Sequence, residues 1–195
     1  SAPGGNVTGV TNRFGELLFK RIELVRELLP GARRILVTYY ASDTVYRDSL
    51  SPRVAKAAGR LGLEVLEYGL PQWAAAIERA AGEGAEAVLP IDIFIGNRIT
   101  GLSVVETANR LRMPAVFAHR GMVEAGGLIS IGTDLENDIR RGADLLARVL
   151  AGAEPAAIPV DQATRFETVL NAKTARAIGL AVPQPVYLRV DRLIE

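Results

Sequence analysis

The stretch RRILVTYYASDTVYRDSLSPRVAKAAGRLGLEVLEYG, residues 33–69, decides the fold. RRILVTYY is rich in β-branched and aromatic residues and reads as a buried strand. SPRVAKAAGRLG reads as a helix with two compatible openings. Either Ser51 caps it with Pro52 at the first position, or it starts earlier, near Thr44, with Pro52 as a kink. LEVLEYG reads as a second strand of alternating character. Strand, helix and strand on this spacing make a βαβ unit, whose strands run parallel.

The alternation continues in both directions. Upstream, PGGNVTGV (3–10) is a glycine-rich turn with a short β segment. RFGELLFKRIELVRELL (13–29) then gives a helix with Leu18, Ile22, Val25 and Leu29 on one stripe. Lys20, Arg21, Glu23 and Glu27 are expected to face water, and Pro30 and Gly31 stop the helix. Downstream come a helix in QWAAAIERAAGEG, a strand in EAVLPIDI, a helix in RITGLSVVETANRLRM and a strand in PAVFA. GMVEAGG is a turn or short helix, and LISIG another strand. TDLENDIRRGADLLARVLAG (133–152) is the clearest helix. Thr133 and Glu136 form a capping box, and Leu135, Ile139, Leu146 and Val149 or Leu150 form its apolar face. Beyond Pro155, IPV and FETVL are β-like, NAKTARAIGL is a short helix, and the tail ends in a strand or turn with no evident partner. The expected fold is α/β: a mostly parallel, open sheet of about five strands with helices on both faces.

Composition narrows the function. Hydrophobic residues at 49% and charged residues at 23% are those of a globular chain. A net charge of +1 without a basic block gives no electrostatic case for nucleic acid or an anionic membrane. Cysteine is absent, which excludes disulfides, thiolate nucleophiles and Cys-based metal sites, and a single histidine speaks against a His-rich one. No metal and no cofactor are expected. No apolar run approaches the roughly 20 residues that span a bilayer.

In open α/β sheets, ligands bind beyond the carboxyl ends of the strands. Tyr40, Ser42 and Asp43 follow the first long strand, Asp92, Phe94 and Asn97 the third, and His119 and Arg120 the fourth. The set suits a small solute with an amine and a carboxylate. Asp43 or Asp92 would hold the ammonium, Arg120 would fork onto the carboxylate, and Tyr40 or Phe94 would cover an apolar part. Each has a plainer alternative: Asp43 and Asn97 as helix caps, Asp92 bound to local backbone, His119 and Arg120 as surface groups. Trp73 reads as packing. Catalytic templates fail: PGGNVTG has no P-loop lysine, AGGLISIG no dinucleotide spacing, and no G-x-S-x-G elbow occurs. NVT is a chance glycosylation sequon. The residues favour a binding module over an enzyme.

Three stretches carry a resemblance: PGGNVTGVT, LPGARRILVTYY, and the run from Arg112 to Pro183 that contains AGGLISIG and IPVDQATRFETVLN. Together they resemble the substrate-binding proteins of bacterial ABC importers, with the type I periplasmic-binding, Rossmann-like fold of two lobes that clamp a ligand. The resemblance implies capture of a small solute, such as an amino acid, outside the cytoplasmic membrane, in the periplasm or on a membrane anchor, with delivery to a membrane permease. It implies that PGGNVTG is the crossover out of a first lobe that would normally precede it. Residues 11–132 would then be lobe two, and 1–10 and 133–195 the hinge and return segments. Surface normally covered by the first lobe would favour a homodimer. By position, Asp92 and Arg120 match residues common in the family, whereas Ala41 departs from its asparagine-serine pattern. A sensory module of a regulator with the same fold, or an enzyme on a flavodoxin-like domain, are the alternatives.

Overall fold

The computed structural model describes residues 4–69, 73–91 and 98–195. In chain order the elements are β1 (Val10–Thr11), α1 (Phe14–Leu28), β2 (Arg34–Tyr39), a π-helical turn (Tyr46–Leu50) running into α2 (Ser51–Arg60), β3 (Glu64–Gly69) and α3 (Trp73–Gly82). They continue with β4 (Ala87–Pro90), α4 (Arg98–Arg110), β5 (Val116–Phe117), α5 (Arg120–Glu124), β6 (Ile129–Thr133) and α6 (Leu135–Leu150). A 3-10 turn (Pro155–Ala157), β7 (Asp161–Gln162), β8 (Phe166–Asn171), α7 (Ala172–Ile178), α8 (Gln184–Tyr187) and β9 (Arg192–Ile194) complete the chain.

Contacts divide the molecule into two units. Residues 15–132 and 167–195 form the larger. Its strands lie in the order β3-β2-β4 and β5-β6-β8-β9, joined by a parallel bridge from Val88 to Ala115. The pairings β2–β3, β2–β4, β5–β6 and β8–β9 are parallel. The sheet is wider than the sequence suggests because β8 and β9 both join it. β9 does have a partner: Val169, Leu170 and Asn171 of β8 face Arg192, Leu193 and Ile194.

Side chains alternate across this sheet, as the pleat requires. Leu36 joins Trp73, Ile77, Val88, Val104, Val105, Phe117 and Val169 in one core cluster. Ile35 and Val37, its neighbours along β2, are equally buried, as are Leu18, Ile22 and Val25 of α1 and Val54 and Ala58 of α2. The strands are apolar along their length because both faces are covered.

The structure settles one open sequence reading and changes two expectations. The helix before β3 starts at Thr44, so Ser51 does not cap it. Pro52 is accommodated by the π-helical turn, in which the Ser51 N–H reaches back five residues to the Tyr46 carbonyl. Thr133 does not cap α6, because it is still in β6. The cap is Asp134, whose carboxylate accepts from the Asn137 N–H at 3.2 Å. Arg21 is not in water: it is 1% exposed, on the stripe it shares with Leu17, Leu24 and Leu28.

The smaller unit comprises residues 1–14 and 133–166. Its β1 and β7 form a two-stranded parallel ladder, with Val10 opposite Asp161 and Thr11 opposite Gln162. The Arg141 guanidinium of α6 clasps the Asp161 carboxylate, with Nε donating at 2.7 Å. α6 leaves a stripe uncovered: Ile139, Leu146 and Leu150 are 62%, 59% and 78% exposed. Among the described residues, no helix is long and apolar enough to cross a membrane.

Candidate functional site

The parallel strands β3, β2, β4, β5 and β6 of the larger unit end at one edge. Tyr39 and Tyr40, Gly69, Ile91, and Ala118 to Arg120 therefore gather along it, on loops spaced by the roughly 4.8 Å between strands.

Tyr39 and Tyr40 leave β2 on opposite faces. The Tyr40 ring meets the Trp73 ring edge-on, centroids 5.2 Å apart and planes at 80°, a favoured aromatic geometry. Trp73 is 3% exposed and belongs to the core, so it backs Tyr40, which is half-buried. Tyr39 packs on Tyr46 instead, at 4.6 Å and 38°.

Asp43 caps the following helix. Its Oδ1 accepts from the Tyr46 N–H at 2.8 Å, satisfying one of the donors that a helix start leaves open. Ser42 is exposed in the turn just before it. Asp92, Phe94 and Asn97 lie outside the described residues.

His119 and Arg120 stand where β5 passes into α5. His119 is the residue before the helix, extended at φ −137°, and its side chain makes no capping bond. Arg120 pairs with Glu167 of β8, Nη1 to Oε2 at 3.3 Å, both groups partly buried. A guanidinium has several donors in a planar fork, the geometry that engages a carboxylate. Burial first, then the charge of Arg21, holds the His119 imidazole below the ordinary histidine range. Arg21 comes from α1 and donates from Nε to the Ile131 carbonyl of β6 at 3.1 Å.

Sequence reasoning missed Arg21, and the available signal was its position. It lies four residues after Leu17 and three before Leu24, on the buried face of α1. Two concavities lie elsewhere. A groove of about 470 Å³ runs between α1 and α2 beside Phe19, Arg53 and Arg60, and one of about 440 Å³ sits near Met113 and Gly179. Neither includes a residue of the carboxyl edge. The edge offers aromatic surface, a cation and an imidazole held towards its neutral form, with no acid and base paired for turnover among the described residues there.

Comparison with known proteins bears on the family and the fold. A family model described as ABC transporter substrate binding protein matches residues 1–193. A tyrosine-binding protein of Clostridioides difficile is 29% identical over 184 residues, covering 91% of this chain and 51% of that protein. A conserved domain protein of Vibrio cholerae superposes with a TM-score of 0.84 at 25% identity, over 99% of this chain and 64% of that one. A Streptococcus pneumoniae ABC domain solved with L-Trp gives 0.81 at 26%, over 99% and 66%. The chain thus spans about half the length of the curated relative and under two thirds of either solved one.

Proposed function

Because the chain belongs to the ABC transporter substrate-binding protein family, we propose that its carboxyl edge is one jaw of a receptor for an amino acid with an aromatic side chain. The family is one of binding proteins, not enzymes, and its members work outside the cytoplasmic membrane. On this reading the receptor hands its solute to the permease of an ABC importer.

One observation carries the reading. Parallel strands end together, and Tyr40, its half-buried ring backed by Trp73, follows a strand two positions along the sheet from the one that leads into Arg120. Two spacings are about 10 Å, within the span of a tyrosine or tryptophan molecule. Arg120 takes the carboxylate, Tyr40 lies against the ring, and neutral His119 donates or accepts one hydrogen bond. Asp92 is proposed for the ammonium, and Phe94, Asn97 and Ser42 are proposed as further ligand-binding residues. The names of the Clostridioides and Streptococcus relatives, tyrosine-binding and solved with L-Trp, support the choice of solute.

The second jaw belongs to the roughly one third of the solved relatives that this chain does not span. Solute contacts both jaws only when they close, so it draws the population towards closure. The uncovered stripe of α6 is assigned to the side of that second jaw; in its absence the stripe pairs two copies of the chain.

Competitive equilibrium dialysis against labelled amino acids and sugars tests the solute class. Aromatic amino acids should be retained ahead of aliphatic ones and of sugars. Preferential retention of a sugar would overturn the assignment.

A further inference from the structure

Tyr46 and Ser51 are five residues apart, yet both hydroxyls reach one carboxylate. Tyr46 Oη donates to Glu67 Oε1 at 2.9 Å, and Ser51 Oγ donates to Glu67 Oε2 at 2.7 Å. On an α-helix, at 3.6 residues per turn, side chains five apart point about 140° away from each other. Here the turn Tyr46–Leu50 is π-helical and closes with the Ser51 N–H on the Tyr46 carbonyl. A ring closed five residues on brings residue i+5 above residue i, so the widened turn lets both donors converge. Glu67 belongs to β3, so this carboxylate ties the turn to the sheet.

The tie has an end point at the carboxyl edge. The Tyr46 ring is fully buried against Tyr39, the last residue of β2. Gly69, the last residue of β3 and the strand partner of Tyr39, also lies against the Tyr39 ring. A Cβ on Gly69 would stand 2.9 Å from Tyr39 Cζ and 3.1 Å from its hydroxyl. The ring therefore sits against bare backbone, with Tyr46 beside it. Burial, together with the Glu67 charge and hydrogen bond, pushes the Tyr46 phenol up, so it remains the donor throughout the physiological range.

We propose that Glu67, acting through Tyr46, is a positioning residue that fixes the Tyr39 ring as an aromatic wall of the solute site, selecting a planar side chain. The proposal rests on the solute reading above and adds the element that sets its specificity. It explains why a π-helical turn, a feature that recurs at functional sites, interrupts this helix one turn from the edge.

The test uses the chain with ¹³C-labelled tyrosine rings and its histidine signals, titrated with L-tryptophan and with L-leucine. In the wild type, tryptophan should move the Tyr39 ring signals and the His119 signals together. Tyr46→Phe, which removes one oxygen, and Glu67→Gln should each lower the tryptophan-over-leucine preference by about fivefold, the size of one misplaced aromatic contact. Leucine affinity should stay within about twofold of wild type. Gly69→Ala should do the same by pushing the ring, without touching the hydrogen bonds. If that variant loses its signal dispersion, Tyr46→Phe decides. Equal loss of both affinities would reduce Glu67 to a merely structural tie and overturn the proposal. So would movement of His119 with Tyr39 unmoved, although the solute reading would then survive. Stillness of every edge signal with both amino acids would overturn the solute reading and the proposal with it.

Discussion

Gly132 lies so close to Ala118 that a Cβ on it would overlap the Ala118 carbonyl oxygen. The end of β6 and the exit of β5 touch backbone to backbone, and this contact sets where His119 and Arg120 begin. Gly132→Ala must push the β5 exit outward. We expect a loss of roughly 1–3 kcal/mol in urea unfolding, the usual cost of overpacking, with displaced His119 signals. Unchanged stability with an unmoved His119 would contradict this backbone contact.

Asp43 should matter to the fold more than to the solute. Its carboxylate holds the Tyr46 N–H, so Asp43→Ala should cost about 1 kcal/mol, as loss of a helix cap does. Asp43→Asn, which keeps the acceptor, should restore most of it. Solute affinity lost in Asp43→Asn without any change in the urea midpoint would return Asp43 to the ligand set.

His119 gives the stability a pH signature. An ordinary imidazole titrates near 6.5; burial and then Arg21 hold this one lower. The unfolded chain therefore takes up the proton first as the pH falls. The stability owed to the neutral imidazole is complete above 6.5 and declines below it, until the folded-state value is passed. His119→Gln should flatten this slope in urea midpoints between about pH 8 and about pH 5. Arg21→Met should move the imidazole titration upward. A His119 titration at or above 6.5 in the wild type would contradict the placement.

The stripe Ile139, Leu146 and Leu150 on α6 should draw two copies together. Sedimentation should find the chain dimeric at micromolar concentration. Leu146→Lys with Leu150→Lys should return it to the monomer with its helix content intact. A monomeric wild type would remove the stripe from self-association.

In a chain that carries both jaws, Arg120→Ala and Asp92→Ala should each weaken solute binding by on the order of 1.5–3 kcal/mol, as loss of a charged hydrogen bond does. An unchanged dissociation constant would remove the altered residue from the site.

Much of the sheet was legible because its strands are buried on both faces and so read as apolar runs between helical patterns. β9 was not: Arg192, Leu193 and Ile194 make three residues after a proline-marked stretch, too short for periodicity to speak. Its partnership with β8 is a tertiary fact. The Pro52 region reads two ways because a proline suits both a helix start and a bulged helix, and the Glu67 carboxylate that holds the bulged turn comes from the next strand, outside the window of helix periodicity. Arg21 was sent to solvent by its charge, although its spacing from Leu17 and Leu24 placed it inside. At the site, the rule about carboxyl ends selected the loops of Tyr40, His119 and Arg120. It could not separate Asp43 the cap from Asp43 the ligand, since both roles ask for the same carboxylate after the same strand.

The central claim is that this chain presents half of an aromatic amino-acid site. Titration of the chain with L-tryptophan, followed by calorimetry and by the His119 signals, tests it most directly. The account expects at best a dissociation constant of about 1 mM, near 4 kcal/mol, with His119 and the tyrosines of the edge perturbed. Micromolar binding by this chain by itself, or perturbations confined to the α1–α2 groove around Phe19 and Arg53, would contradict it.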